Sequence, residues 1–344
     1  MRETTHADCE FASFWHGGPL NPFAYGCLAS FPAAGARICL YSYDEGLEVP
    51  PGVRLQDARS ICPDESQVRR YIVDGKPSIA TFADMFRYRM IQKTGRCWVD
   101  TDLLCLTKPG FASEPYVFCR QADAVSTLLV NNAVLRLPRS EPALAELVAT
   151  AEHVIDVDQK WGAIGPFLLT PVLEKHGIYD RALDPHVCYP IEPEQFWKPF
   201  LPSHRLQVEE AVAGATLLHL WSESIRWSAY DFSTCPPRGS YLHDAFRRAG
   251  VLERFSRVYG EDEVLRLMDR QIAESERRSK ASSGVIAERL KRGDEPPTPQ
   301  PAQRRAQAPC VSSDDCASAP PGTRPSAAPS NIRAPALRTS GRRS

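Results

Sequence analysis

The stretch from Ser78 to Asp102 constrains the fold more than any other. An amphipathic helix runs from an N-cap, Ser78, to a C′ glycine, Gly95. Ile79, Phe82, Phe86 and Met90 form one apolar stripe along it, and Asp84, Arg87, Tyr88 and Ile91 lie on an adjacent one. An apolar strand, Cys97-Trp98-Val99, follows and leads into Asp100-Thr101-Asp102. A helix and strand joined this tightly belong to a sheet with helices on its faces.

The N-terminal residues repeat the pattern. Phe11 to Trp15 reads as a buried first strand that runs into the turn His16-Gly17-Gly18-Pro19. Asn21-Pro22 gives an N-cap followed by proline at the first helical position, which opens a helix to about Phe31. Arg37–Tyr43 and Val53–Leu55 are further strands, so the alternation is β-α-β and predicts a mainly parallel sheet. Later strands are expected around Tyr116–Cys119, Leu128–Leu137 and Thr216–Trp221, and helices at Glu141–His153 and Pro166–His176. Residues 241–280 read as helical and charged.

Composition divides the chain. Residues 296–344 hold ten of the thirty prolines, seven Arg and two Asp, with no aromatic residue. The overall net charge of −1 therefore hides a basic tail and a remainder of about −6. Such a tail lacks the apolar residues to form a core and is expected to be disordered. The expected organisation is an extension over 1–10, an α/β domain over 11–240, a helical extension over 241–295, and the tail. The acidic balance of the folding part argues against nucleic acid as a partner. No apolar run reaches the roughly 18–20 residues that a membrane helix needs, and no secretory signal opens the chain. The eleven cysteines form no CxxC pair and read as buried thiols of a reducing compartment. The expected location is cytoplasmic, with peripheral contact at the inner membrane through the basic tail as one alternative and a plain extension as the other.

The acidic pair after the strand carries a chemistry of its own. Side chains two apart on an extended backbone point the same way. Asp100 and Asp102 can therefore hold one divalent cation, with diphosphate oxygens and water completing an oxygen-rich shell. Solvated loop acids are the alternative. Upstream, Asp84 and Arg87 are three apart on one face of a helix rich in aromatics, where a charge needs a partner or a ligand.

Together, Ala80-Thr-Phe-Ala-Asp84-Met-Phe-Arg87-Tyr88 and Thr94-Gly95-Arg-Cys-Trp98-Val-Asp100-Thr-Asp102 resemble the DxD glycosyltransferases of family 32. That family includes α1,4-galactosyltransferase and mannosyltransferase groups, and the clostridial glucosylating toxins are similar at greater distance. Phe14-Trp15-His16-Gly17-Gly18 resembles the family's opening strand, and Trp161-Gly162-x-x-Gly165-Pro166 with Leu168-Leu169-Thr170 resembles a later block. The resemblance spans roughly residues 11–227. It departs from the family at Arg96, where a second glycine is common, and at Ala83, where serine is frequent.

The resemblance implies a GT-A-type α/β fold with a mixed, mainly parallel sheet, a nucleotide-sugar donor (UDP-sugar favoured) and Mn²⁺, or Mg²⁺, as cofactor. Asp100 and Asp102 would hold the metal and diphosphate, and Asp84 and Arg87 would bind hydroxyls of the donor sugar. Trp15 would stack on the base. His219, in Leu217-Leu-His-Leu-Trp221, is the candidate third metal ligand, or else a core residue. Asn131-Asn132 would address the donor sugar or acceptor, or form a turn, and Trp98 is either a core aromatic or a ligand contact. His153, His176 and His186 are read as structural. The implied reaction is retaining transfer of a hexose or N-acetylhexosamine to a hydroxyl of a glycan, a lipid-linked sugar or a protein. Two other classes remain: a catalytically inert nucleotide-sugar-binding or effector protein, and a DxD phosphatase of the haloacid-dehalogenase type.

Overall fold

A computed structural model describes residues 9–122 and 129–292. The start of the expected N-terminal extension and the Pro/Arg-rich tail lie outside the described residues.

The first half of the chain builds the main sheet. Strand β1 (Phe11–Phe14) is followed by helix α1 (Pro22–Ala33), β2 (Ile38–Ser42) and β3 (Arg54–Asp57). A short hairpin, β4 (Ile72–Val73) and β5 (Lys76–Pro77), precedes helix α2 (Ile79–Thr94), β6 (Cys97–Val99) and β7 (Leu103–Cys105). Then come β8 (Val117–Gln121), β9 (Leu129–Arg136), α3 (Pro142–His153), β10 (Asp158–Gln159) and α4 (Pro166–Lys175). The sheet order is β3-β2-β1-β6-β9-β8. The first four strands are parallel, with Phe11 opposite both Ile38 and Cys97, while β9 runs antiparallel to β6 and β8. The architecture is α/β with a mixed, mainly parallel central sheet flanked by helices, as the alternation predicts.

Local chemistry sets the element ends. The Asn21 side chain accepts a hydrogen bond from the Ala24 amide at 2.9 Å, and Ser78 accepts one from Thr81 at 3.2 Å. Gly95 takes φ +70°, the left-handed C′ conformation that only glycine adopts cheaply. Strand β1 is buried at every residue, as a strand covered on both faces must be. Phe11 and Val99 face one core with Phe23 and Phe31 of α1. Ala12, Phe14 and Trp98 face the other with Phe82 and Phe86 of α2. Ile79 departs from the apolar stripe expected of α2: it stands in the first turn, beyond the core, and is 45% exposed.

After α4 the chain forms α5 (Pro185–Cys188), α6 (Arg205–Ala211), β11 (Leu217–His219), α7 (Ser222–Trp227), β12 (Thr234–Cys235), α8 (Tyr241–Arg248), β13 (Arg257–Val258) and α9 (Glu261–Arg292). The helix expected over 241–280 is broken. Helix α8 stops before Gly250, and a 3₁₀ turn and β13 intervene before α9 begins. The break lets Phe246, Val251, Val264 and Met268 all reach the α1 side of the core. No described helix is long and apolar enough to cross a membrane. The nine described cysteines are free and buried.

Candidate active site

Because β1 and β6 are parallel neighbours, their carboxyl ends open on the same edge of the sheet. Chain order reverses there: β1 leads to β2 on one side, while β6 lies on the other. Crevices at such switch points are where open α/β sheets bind ligands. A cavity of about 810 Å³ lies here, lined by Trp15 after β1, Asp84 and Arg87 of α2, Asp100 and Asp102 after β6, and Asn132 of β9.

Arg87 joins the acids. Its guanidinium nitrogen Nη2 is 3.1 Å from Asp84 Oδ1 and 3.1 Å from Asp100 Oδ1, and Nη1 donates to the Asn132 carbonyl at 2.5 Å. The guanidinium also lies 4.9 Å from the Trp98 ring centroid. The Trp98 indole N–H donates to Asp100 Oδ1 at 2.6 Å, so this residue is both a core aromatic and a wall of the cavity. Asn132 donates its amide to Asp84 Oδ1 at 2.8 Å. It sits in strand β9 rather than in a turn. Its neighbour Asn131 binds Gln121 Oε1 and the Ala133 amide instead. Burial pushes the Asp84 carboxyl up to about 6, against the pull of Arg87, and the charge of Asp100 adds to the rise.

The second carboxylate is held by the C-terminal part of the chain. Strand β11 pairs antiparallel with β7, setting His219 opposite Leu103, the residue after Asp102. His219 Nε2 is 3.2 Å from Asp102 Oδ1, and the Ser222 amide donates to Asp102 Oδ2 at 2.9 Å. Burial alone would raise the Asp102 carboxyl, but the neighbouring His219 ring and the Ser222 hydrogen bonds outweigh it and hold it well below the usual carboxylate range. Trp221 turns the chain from β11 into α7 in a left-handed conformation, φ +55°. That costly geometry is fixed by its indole N–H on the Ile191 carbonyl and by contact with the His219 ring, 4.0 Å between centroids.

One ligand atom from each of Asp100, Asp102 and His219 lies within 4.8 Å of the others. The buried Nδ1 of His219 has no hydrogen-bond partner among the described residues. Two carboxylates and an imidazole fit a divalent transition ion such as Mn²⁺ better than Mg²⁺, which favours all-oxygen shells.

Trp15 is half-buried at the cavity wall, its indole N–H on the Gly18 carbonyl at 2.8 Å. Trp15, Asp84, Arg87, Trp98, Asp100, Asp102, Asn131, Asn132 and His219 thus line one cavity. Other contributors lack a sequence signal of their own. Gly165, which belongs to the later block of the resemblance without a role, shows its reason only here: a Cβ there would stand 3.1 Å from Asp84 Oδ2 and 3.3 Å from Asn132 Nδ2. Ser222 and Trp227 are others, since their positions depend on the turn at Trp221.

No known protein family matches the sequence, and no curated protein matches it. Among solved structures, the chain is similar to the PaToxG glycosyltransferase at 12% identity and a TM-score of 0.36, over 69% of this chain and 85% of that one. It is similar to mouse xyloside xylosyltransferase 1 at 15% identity and a TM-score of 0.37, over 61% and 96%. The bifunctional glycosyltransferase WbbM gives 11% and 0.42, over 78% of this chain and 53% of that one. Superpositions this loose carry no argument about activity.

Proposed function

We propose that the chain is a metal-dependent, retaining glycosyltransferase that uses a nucleotide-sugar, with a UDP-sugar favoured, and that residues 11–240 carry the catalysis. The observation that supports it most is the convergence of Asp100, Asp102 and His219 beside Asp84, Arg87 and Asn132 in a single cavity. A divalent cation held by the first three would neutralise the diphosphate as it leaves, as a Lewis acid.

The chain's own residues would do the rest. Trp15 offers an aromatic face for the base. The Asp84 carboxylate and the Asn132 amide would hold hydroxyls of the donor sugar. Arg87 would keep Asp84 and Asp100 in register and place positive charge beside the diphosphate, where negative charge grows as the glycosidic bond breaks. The acceptor hydroxyl would attack from the face that the diphosphate leaves and pass its proton to that diphosphate. No second carboxylate would be needed as a nucleophile, unlike the paired acids of retaining glycosidases.

The test is incubation with a panel of UDP- and GDP-sugars, with and without Mn²⁺, reading released nucleoside diphosphate by mass spectrometry. Release should depend on Mn²⁺ and fall at least 100-fold in Asp102→Asn with the folded structure retained. Unchanged turnover in that variant would overturn the reading.

A further inference from the structure

Among the described residues, eight large hydrophobic residues stand exposed, and four of them line the cavity described above. They come from three separate places in the chain: Ile79 opens α2, Trp161 and Phe167 flank the start of α4, and Trp227 ends α7. Trp161 is 53% exposed, Phe167 56% and Trp227 66%. Aromatic area left in water around a functional cavity marks a binding surface, because leaving it bare forgoes roughly 25 cal/mol per Å² of burial.

The surroundings of these rings say what they bind. Trp227 follows Arg226, which is paired with Glu223 at 2.9 Å, and all three line the cavity. Asp84, Arg87, Asp100 and Asp102 line the same cavity. Aromatic and charged side chains therefore share its walls. A lipid chain would find no continuous apolar surface there. A protein partner would need a contact of about 800 Å² on its side, of which these separated rings supply little. A pyranose has both chemistries in one small body: a face of C–H groups that packs on an aromatic ring, and hydroxyls at the edge that reach neighbouring charges. Phe167 packs over Gly162, 3.2 Å from where a Cβ would stand, and so ties the Trp161 turn to the start of α4.

We propose that Trp161, Phe167 and Trp227 form an acceptor platform that takes a pyranose ring, which makes the acceptor a saccharide. The proposal rests on the reading of the cavity as a nucleotide-sugar site, but its test does not need turnover. Methyl glycosides of glucose, galactose, mannose and N-acetylglucosamine are mixed with the full chain in Mn²⁺ and UDP, and binding is read by saturation-transfer NMR. At least one should bind in the millimolar range. The signal should weaken at least fivefold in Trp161→Ala and in Trp227→Ala and be partly restored in Trp161→Phe. Leu206→Ala alters an exposed hydrophobic residue away from the cavity and should leave the signal intact. Donor cleavage without any saccharide signal would overturn the platform while leaving the transferase standing. A signal that persists in both alanine variants, or transfer only to peptides or phospholipid vesicles, would overturn it too. Saccharide binding that follows these variants in a protein that cleaves no nucleotide-sugar would support the platform and sink the transferase.

Discussion

Arg87 is the residue on which the site turns, because it ties the helix acid Asp84 to the strand-end acid Asp100. Asp84 and Arg87 are legible in the sequence, since a spacing of three puts both on one helix face. What the spacing does not give is the third partner, which depends on how β6 lies against α2. The Trp98 indole N–H is also hidden from sequence, since a tryptophan before DxD reads equally well as core. With its N–H on Asp100 Oδ1, Trp98 should steady that carboxylate for metal binding. Trp98→Phe keeps most of the ring but removes the donor, and a hydrogen bond to a charged group contributes about 1.5–3 kcal/mol. Mn²⁺ affinity should fall about tenfold or more, read by titration at a temperature where the variant, which also loses core packing, remains folded. Asp84 gives a pH signature. Its folded carboxyl titrates at about 6, above an unfolded value of about 3.8, so the protonated form is favoured by folding. In the absence of metal and donor, its contribution is complete below pH 4 and is lost as pH rises through 6. Thermal unfolding of wild type should show this falling component between pH 4 and 6, and Asp84→Asn should lack it.

At the scale of elements, the caps at Asn21, Ser78 and Gly95 and the strands of the main sheet follow from local sequence. The pieces that escape are those whose reason is distant. Strand β11 is three residues long, and its pairing with β7 converts His219 from an apolar-strand histidine into the neighbour of Asp102. Gly250, at φ +69°, and Gly260 flank the break between α8 and α9, but the charge that runs on across residues 249–260 masks it in the sequence. The reason for it is packing against α1. A Cβ on Gly26 of α1 would stand 2.7 Å from the Phe246 ring and 3.1 Å from Val251. Gly26→Ala gains up to about 1 kcal/mol of helix propensity, but overpacking a tight contact costs about 1–3 kcal/mol. The clash should win, and the denaturant midpoint should fall. A midpoint that rises would mean that α8 can shift away from α1 at little cost.

For the whole molecule, the fold class was readable because β-α-β alternation and a helix-to-DxD junction leave few topologies open. Placement of the site was readable too, since strand ends in a parallel sheet collect on one edge. The aromatic rim was not, because Ile79 and Trp227 lie far in sequence from Trp161 and Phe167, and nothing local marks any of the four as exposed. If the domain organisation is as proposed, removing residues 293–344 should leave donor cleavage and melting temperature unchanged; a large loss of cleavage would give the tail a part in the chemistry. We propose that Asp100, Asp102 and His219 form one metal centre that serves a nucleotide-sugar. Electron paramagnetic resonance of free Mn²⁺ during titration of the full chain tests this. Wild type should show one saturable site, tightened by UDP, absent in Asp102→Asn and weakened at least tenfold in His219→Ala. The same stoichiometry and affinity in wild type and Asp102→Asn would contradict it.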